Sequence, residues 1–160
     1  MKIVSFLLVF ATGMAFSQTS STHRITVFYF GSSDCPYCVD GKNIANINVM
    51  RTELPKKHAP TPFKFVMVVM DDSLDRGFRF AGKYVPWDEI SIGQFYNNEL
   101  MLEHVNRSRI PGVPHIMVYS DSLGMDTSGI PSMRKRTPLL DLVGESAIGK
   151  WIKNGFLIQE

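Results

Sequence analysis

Both cysteines of this 160-residue chain fall within one tetrapeptide, Cys35-Pro36-Tyr37-Cys38, set between a strand-like run, Ile25 to Phe30, and a segment with helical periodicity. A sulfur at the first turn of a helix faces unsatisfied backbone N–H groups and the positive end of the macrodipole, which favour thiolate over thiol. Two intervening residues let both sulfurs meet across one turn, so the pair can pass between dithiol and disulfide with little backbone movement. A static disulfide is the first alternative, although so short a loop removes little unfolded-state entropy. Half of a zinc site is the second. No other cysteine pair exists, and His23, His58, His104 and His115 lack the spacing of a matching ligand pair.

The chain opens with Met1-Lys2, an apolar run from Ile3 to Ala11, and then Ala15-Phe16-Ser17 ahead of Gln18. One positive charge, a short apolar core and small residues at the cleavage position predict a secretory signal peptide over residues 1–17 and a single domain over 18–160. The run is short for a membrane span, and no cysteine follows it to carry a lipid, so no stable membrane anchor is expected after cleavage. Export predicts a periplasmic or secreted protein, in a compartment where disulfides persist. Asn106-Arg107-Ser108 is a glycosylation sequon in a eukaryotic host. About 143 residues would remain, enough to bury a core without disulfide staples, which turns attention to the cysteines as chemistry. The formal charge of +2 gives no electrostatic argument for nucleic acid. The one basic cluster, Arg134-Lys135-Arg136, reads as a solvated loop or strand end.

Beyond Cys38, Ile44, Ile47, Met50 and Leu54 recur at helical spacing and Pro55 supplies a stop, predicting one helix from Pro36 to Glu53. Phe63 to Met70 is a nearly continuous apolar run, suited to a central strand, in which Met67 and Met70 are core filler rather than copper ligands. Short helices are expected over Asp75 to Lys83 and Glu99 to Val105. A strand is expected over His115 to Tyr119, a turn over Ser120 to Gly124, a strand over Leu139 to Val143 and a last helix over Glu145 to Lys153. The order describes an α/β sheet flanked by helices, with the cysteine turn at the carboxyl end of a strand, where open α/β sheets hold their sites.

Three segments together resemble the thioredoxin superfamily, within it the tryparedoxin, nucleoredoxin and TlpA-like branch, over nearly all of the chain after the signal. They are Phe28 to Cys38, similar to the branch's strand-to-active-site segment; Tyr84-Val85-Pro86-Trp87, similar to its proline-tryptophan element; and Ile110-Pro111-Gly112-Val113-Pro114-His115, similar to the loop that carries a cis-proline. The resemblance implies a thioredoxin-like fold with a central mixed β-sheet flanked by helices. Four positions depart from the pattern. Asp34 stands where tryptophan is common and sets a negative charge beside the thiolate, opposing its formation. Tyr29 stands where thioredoxins proper carry a buried aspartate, so their proton relay is not implied. Val113-Pro114-His115 is not the Thr-Val-Pro element of glutaredoxins, so glutathione binding is not implied. Val39 replaces the arginine that often follows the second cysteine.

These residues predict a thiol–disulfide oxidoreductase acting on protein thiols and disulfides. Cys35 is the nucleophile and Cys38 the resolver. The resemblance implies that Val113, Pro114, Pro36 and Tyr37 line the substrate groove. Asp34, Tyr29, Trp87 and His115 surround the pair, Trp87 as packing at the rim and His115 more as a hydrogen-bonded structural residue than as a proton carrier. The redox-active disulfide needs no cofactor and no metal. Two other classes stay open: a thioredoxin-fold module that only binds peptides, and a Cu(I) carrier using the two thiolates.

Overall fold

In the computed structural model, five strands lie in the order β3-β2-β1-β4-β5. The structure describes residues 22–84, 86–94, 97–105, 108 and 112–158. Segment 1–17, expected as a signal peptide, therefore lies outside the described residues, as do Val85, Asn106, Arg107, Ile110 and Pro111 of the motifs above.

The chain runs through β1 (Thr22–Gly31), α1 (Pro36–Val39), α2 (Gly41–Lys57), β2 (Phe63–Val69), α3 (Leu74–Ala81) and β3 (Glu89–Ile92). It continues through α4 (Glu99–Glu103), β4 (His115–Met125), β5 (Pro131–Val143) and α5 (Glu145–Lys153). β1 pairs in parallel with β2, and β2 with β3, while β4 runs antiparallel to both β1 and β5. This is the mixed sheet of a thioredoxin-like fold, as expected. Alternation along the strands divides the core into two layers. Ile25, Val27 and Tyr29 of β1, with Phe65, Met67 and Val69 of β2, meet Ile47, Met50 and Leu54 of α2 and Ile148 and Trp151 of α5. Phe28 and Phe30, with Val66, Val68, Met117 and Tyr119, face Met101 of α4 and Val105 on the other side. β1 and β2 are buried on both faces, which explains their nearly unbroken apolar sequence. Among the described residues, no helix is long and apolar enough to cross a membrane.

The structure corrects four readings of local sequence. The single helix expected from Pro36 to Glu53 is two, broken at Asp40, whose extended backbone and side chain cap α2 through the N–H groups of Lys42 (2.9 Å) and Asn43 (3.4 Å). Pro55 does not end α2, which continues to Lys57. In the last turn its missing N–H costs one bond, and the fully buried Leu54 keeps the segment seated. The turn expected over Ser120 to Gly124 is strand, and β4 and β5 form a long hairpin that reverses at Asp126, whose carboxylate accepts from the N–H groups of Ser128 and Ile130, each at 2.8 Å. Asp121 looks like a turn residue in sequence but is buried in the sheet, bonded to Thr26 Oγ1 at 2.7 Å and to Arg136 Nε at 2.7 Å. Arg136 is therefore half-buried in the sheet with its guanidinium over Phe28 (5.1 Å) and Tyr119 (5.5 Å), not part of a solvated cluster. β3 was not expected at all. Glu89 and Ser91 break its apolar pattern because it is the short edge strand.

Candidate active site

β1 ends at Gly31, whose position admits no side chain without crowding: a Cβ there would stand 3.0 Å from Phe80 and 3.1 Å from Tyr29. The chain then turns through Ser32, Ser33 and Asp34 into α1, held by the Asp34 N–H on Ser32 Oγ (3.2 Å) and the Cys35 N–H on the Ser32 carbonyl (3.3 Å). Cys35 is the N-cap of α1. Its Sγ accepts from the Cys38 N–H at 3.1 Å, so the first sulfur receives the free N–H group that capping side chains normally take. Cys35 and Cys38 are joined as a disulfide with Cα atoms 5.1 Å apart. Cys35 is half-buried and reachable, whereas Cys38 is fully buried.

The far loop meets this turn. Cys35 Sγ lies 3.5 Å from the Val113 carbonyl oxygen, and the Val113–Pro114 peptide is cis. Pro114 is buried, and its carbonyl accepts from the Gly144 N–H at 2.8 Å. Gly144 has φ +87°, a conformation that suits glycine, and links β5 to α5 beside the loop. Tyr37 is 63% exposed, and Pro36 is exposed too. Tyr37, Lys42, Gly144, Glu145 and Ser146 line an open hollow next to the cysteine turn, where Lys42 pairs with Glu145 at 3.0 Å. Cys35, Cys38, Val113, Pro114, Pro36 and Tyr37 thus come together.

Beneath Cys38 lies a buried polar chain. Tyr84 Oη donates to the Cys38 carbonyl at 2.6 Å and stands 3.0 Å from Tyr29 Oη, which accepts from Asn43 Nδ2 at 3.0 Å. Since the carbonyl only accepts and the Asn43 amide only donates here, the direction is fixed: Asn43 to Tyr29 to Tyr84 to Cys38. Burial pushes the Tyr29 phenol up to about 12, against the lowering effect of its bonds to Tyr84 and Asn43, and burial raises Tyr84 as well. Both are neutral donors at physiological pH. Trp87 stacks on Tyr29 with ring centroids 5.9 Å apart and meets Tyr84 edge-on at 6.5 Å, so it packs the network rather than the sulfurs.

Two expected neighbours look different in place. Asp34 does not present a bare charge to Cys35: Arg76 of α3 hydrogen-bonds its carboxylate and holds it below the usual carboxylate range. His115 is fully buried on the opposite face of the sheet, against Phe30 (5.7 Å), with Nε2 bonded to Asp141. It is not brought to the sulfurs. The residues missed from sequence are Asn43, Asp71 and Arg76, and Tyr84 stands in the sequence only as part of the proline-tryptophan element, not as a partner of Cys38. Asp71 follows directly on the Phe63 to Met70 run, and a carboxylate at the carboxyl end of a buried strand sits where the sites of such sheets form. Among the described residues, no group of three or more His, Cys, Asp or Glu side chains is placed to hold a metal ion.

No protein-family model matches the chain, and no curated protein matches it. Solved structures are similar to the chain at low identity. A putative thiol:disulfide interchange protein DsbE from Chlorobium tepidum is 17% identical over 84% of this chain and 81% of its own, with a TM-score of 0.45. StoA from Bacillus subtilis is 17% identical over 81% and 82%, with a TM-score of 0.43. A thiol-disulfide oxidoreductase from Bacteroides fragilis is 18% identical over 82% and 81%, with a TM-score of 0.40.

Proposed function

We propose that the chain is an exported thiol–disulfide oxidoreductase that exchanges its Cys35–Cys38 disulfide with cysteines of protein substrates. One observation carries the reading: a reachable sulfur at the N-cap of a helix, bridged to a buried one, with the Val113 carbonyl 3.5 Å away on a separate loop. A structural staple needs neither the asymmetry in access nor the open groove. Export is supported by the charge, apolar core and small residues of segment 1–17.

The chemistry is a pair of thiolate displacements. A partner thiolate attacks Cys35 Sγ, the Cys35–Cys38 bond breaks, and Cys38 leaves as a thiolate that takes up a proton. The partner's second thiolate then attacks its own sulfur in the mixed disulfide and releases Cys35. Two electrons have moved from the partner dithiol to the pair. Run backward, the Cys35 thiolate attacks a partner disulfide and Cys38 resolves the intermediate; the reduction potentials of the two couples decide which way it runs. An extended partner segment lies along Val113 and Pro114, with Pro36 and Tyr37 as the opposite wall.

Cys38→Ser should accumulate mixed disulfides at Cys35, because attack proceeds and resolution does not, whereas Cys35→Ser should trap far fewer because Cys38 is buried. Non-reducing gels of the exported variants, paired with an insulin-reduction assay of the unaltered protein, read this directly. Equal capture by both variants removes the asymmetry, and no capture with no insulin reduction leaves the pair a static disulfide.

A further inference from the structure

We propose that Arg76 is a positioning residue for this redox pair: it ties the segment Ser33-Asp34 to α3 and offsets the Asp34 charge beside the Cys35 sulfur. The inference rests on the function proposed above and adds a residue from a distant helix to the site.

Arg76 sits in the first turn of α3, and its guanidinium meets four acceptors. Nη2 bonds Asp34 Oδ1, lies 2.9 Å from Ser33 Oγ and 3.5 Å from Asp71 Oδ1, while Nη1 lies 3.1 Å from Asp72 Oδ1. Asp71 is the buried anchor of the group. Its side chain is 0% exposed, and its oxygens take the Ser33 N–H (3.1 and 3.3 Å) and the Ser33 hydroxyl. A buried carboxylate is tolerable only when its acceptors are filled and a cation is close, and Ser33 and Arg76 supply both. Ser33 and Asp34, the two residues before Cys35, are thus held in place, Ser33 by both Asp71 and Arg76 and Asp34 by Arg76.

The consequence is electrostatic as well as mechanical. Asp34 alone would oppose a thiolate one residue away, and Arg76, which it shares with Asp71 and Asp72, offsets part of that charge. The other charged and titratable groups on elements around the turn include Asp71 and Asp72 after β2, the Asp75–Arg79 pair of α3, Tyr37 of α1, Asp40 between α1 and α2, the Lys42–Glu145 pair, the Tyr29 and Tyr84 phenols beneath Cys38 and the buried His115 of β4. Among these, Arg76 is the cation that bonds the segment leading into Cys35.

Four variants test it in the reduced protein: Arg76→Gln, Arg76→Lys, Asp34→Asn and the Arg76→Gln/Asp34→Asn double. The readout is the rate of Cys35 alkylation by iodoacetamide against pH, with circular dichroism confirming that each variant is folded. Below the thiol's pKa, Arg76→Gln should slow alkylation about three- to tenfold, since an uncompensated surface carboxylate shifts a neighbour by roughly half to one unit. Arg76→Lys should recover most of the rate, and the double variant should return close to the unaltered protein. Added salt should shrink the effect. An unchanged or faster rate in Arg76→Gln, or a double variant as slow as the single, overturns the proposal. Alkylation needs no turnover, so a protein that fails to reduce insulin yet shows this pattern would fail the functional reading alone.

Discussion

Tyr84 joins the middle of the chain to the cysteine turn through a single hydroxyl, which donates to the Cys38 carbonyl and ends a run of donors that starts at Asn43. A one-turn helix such as α1 leaves its carbonyls without intrahelical partners, so this bond satisfies a group that would otherwise be buried and orphaned. Tyr84→Phe keeps the ring packing against Phe80 and Trp87 but removes the donor to Cys38 and the acceptor for Tyr29. It should cost roughly 1–3 kcal/mol, the penalty of leaving buried polar groups unsatisfied. Urea unfolding of the oxidised protein measures this, and a midpoint equal to that of the unaltered chain would show the network to be idle. At this scale the cysteines and Pro114 were legible because each sits in a recognisable local pattern. The roles of Asn43, Tyr84, Asp71 and Arg76 were not, because their partners lie 14, 46, 38 and 42 positions away in sequence. No short window records such a meeting.

Among the elements, the break between α1 and α2 matters most to the site. Four residues of helix have no stability of their own, so α1 depends on what brackets it: Cys35 as one cap and Asp40 as the residue that starts α2 afresh. Asp40→Ala should cost about 1 kcal/mol and speed hydrogen exchange at the Lys42 and Asn43 amides, since both lose their acceptor. Exchange at those amides equal to the unaltered protein would refute the capping role. The same break shows why the periodic pattern overran its boundary: Ile44 to Leu54 fixes where α2 packs, but apolar spacing is silent on where a polar cap restarts the helix. β1 and β2 were plain because burial on both faces writes an unbroken apolar run. The outer part of the β4–β5 hairpin was hidden because Ser120 to Gly124 has turn composition, and cross-strand partners, Asp121 with Arg136 above all, override it.

For the molecule as a whole, the cysteine turn and the Asp121 cluster occupy opposite ends of β1. Gly31 leads into the cysteines, while Arg24 and Thr26 reach Asp121 near the strand's start, and Arg136 joins from β5. The cluster ties β1, β4 and β5 together at the end of β1 away from the cysteines, so changes there should act on stability and leave Cys35 reactivity alone. Burial by itself would raise the Asp121 carboxyl, but the bonds from Arg136 and Thr26 and the charges of Arg136 and Arg24 outweigh it and hold the group below its usual value of 3.8. A carboxyl depressed in the folded state contributes stability that is present above the unfolded value and lost as pH falls through the folded one. The contribution should therefore be intact at pH 7 and vanish progressively below about pH 4. Asp121→Asn abolishes that titration and leaves Arg136 half-buried without its anion. It should be less stable at pH 7 by on the order of 2–4 kcal/mol, with the gap to the unaltered protein narrowing as the pH approaches 3. Urea midpoints at both pH values, with Cys35 alkylation rates alongside, decide the matter: a gap that stays constant with pH would assign the acid sensitivity elsewhere, and an altered alkylation rate would mean the two ends of β1 are coupled.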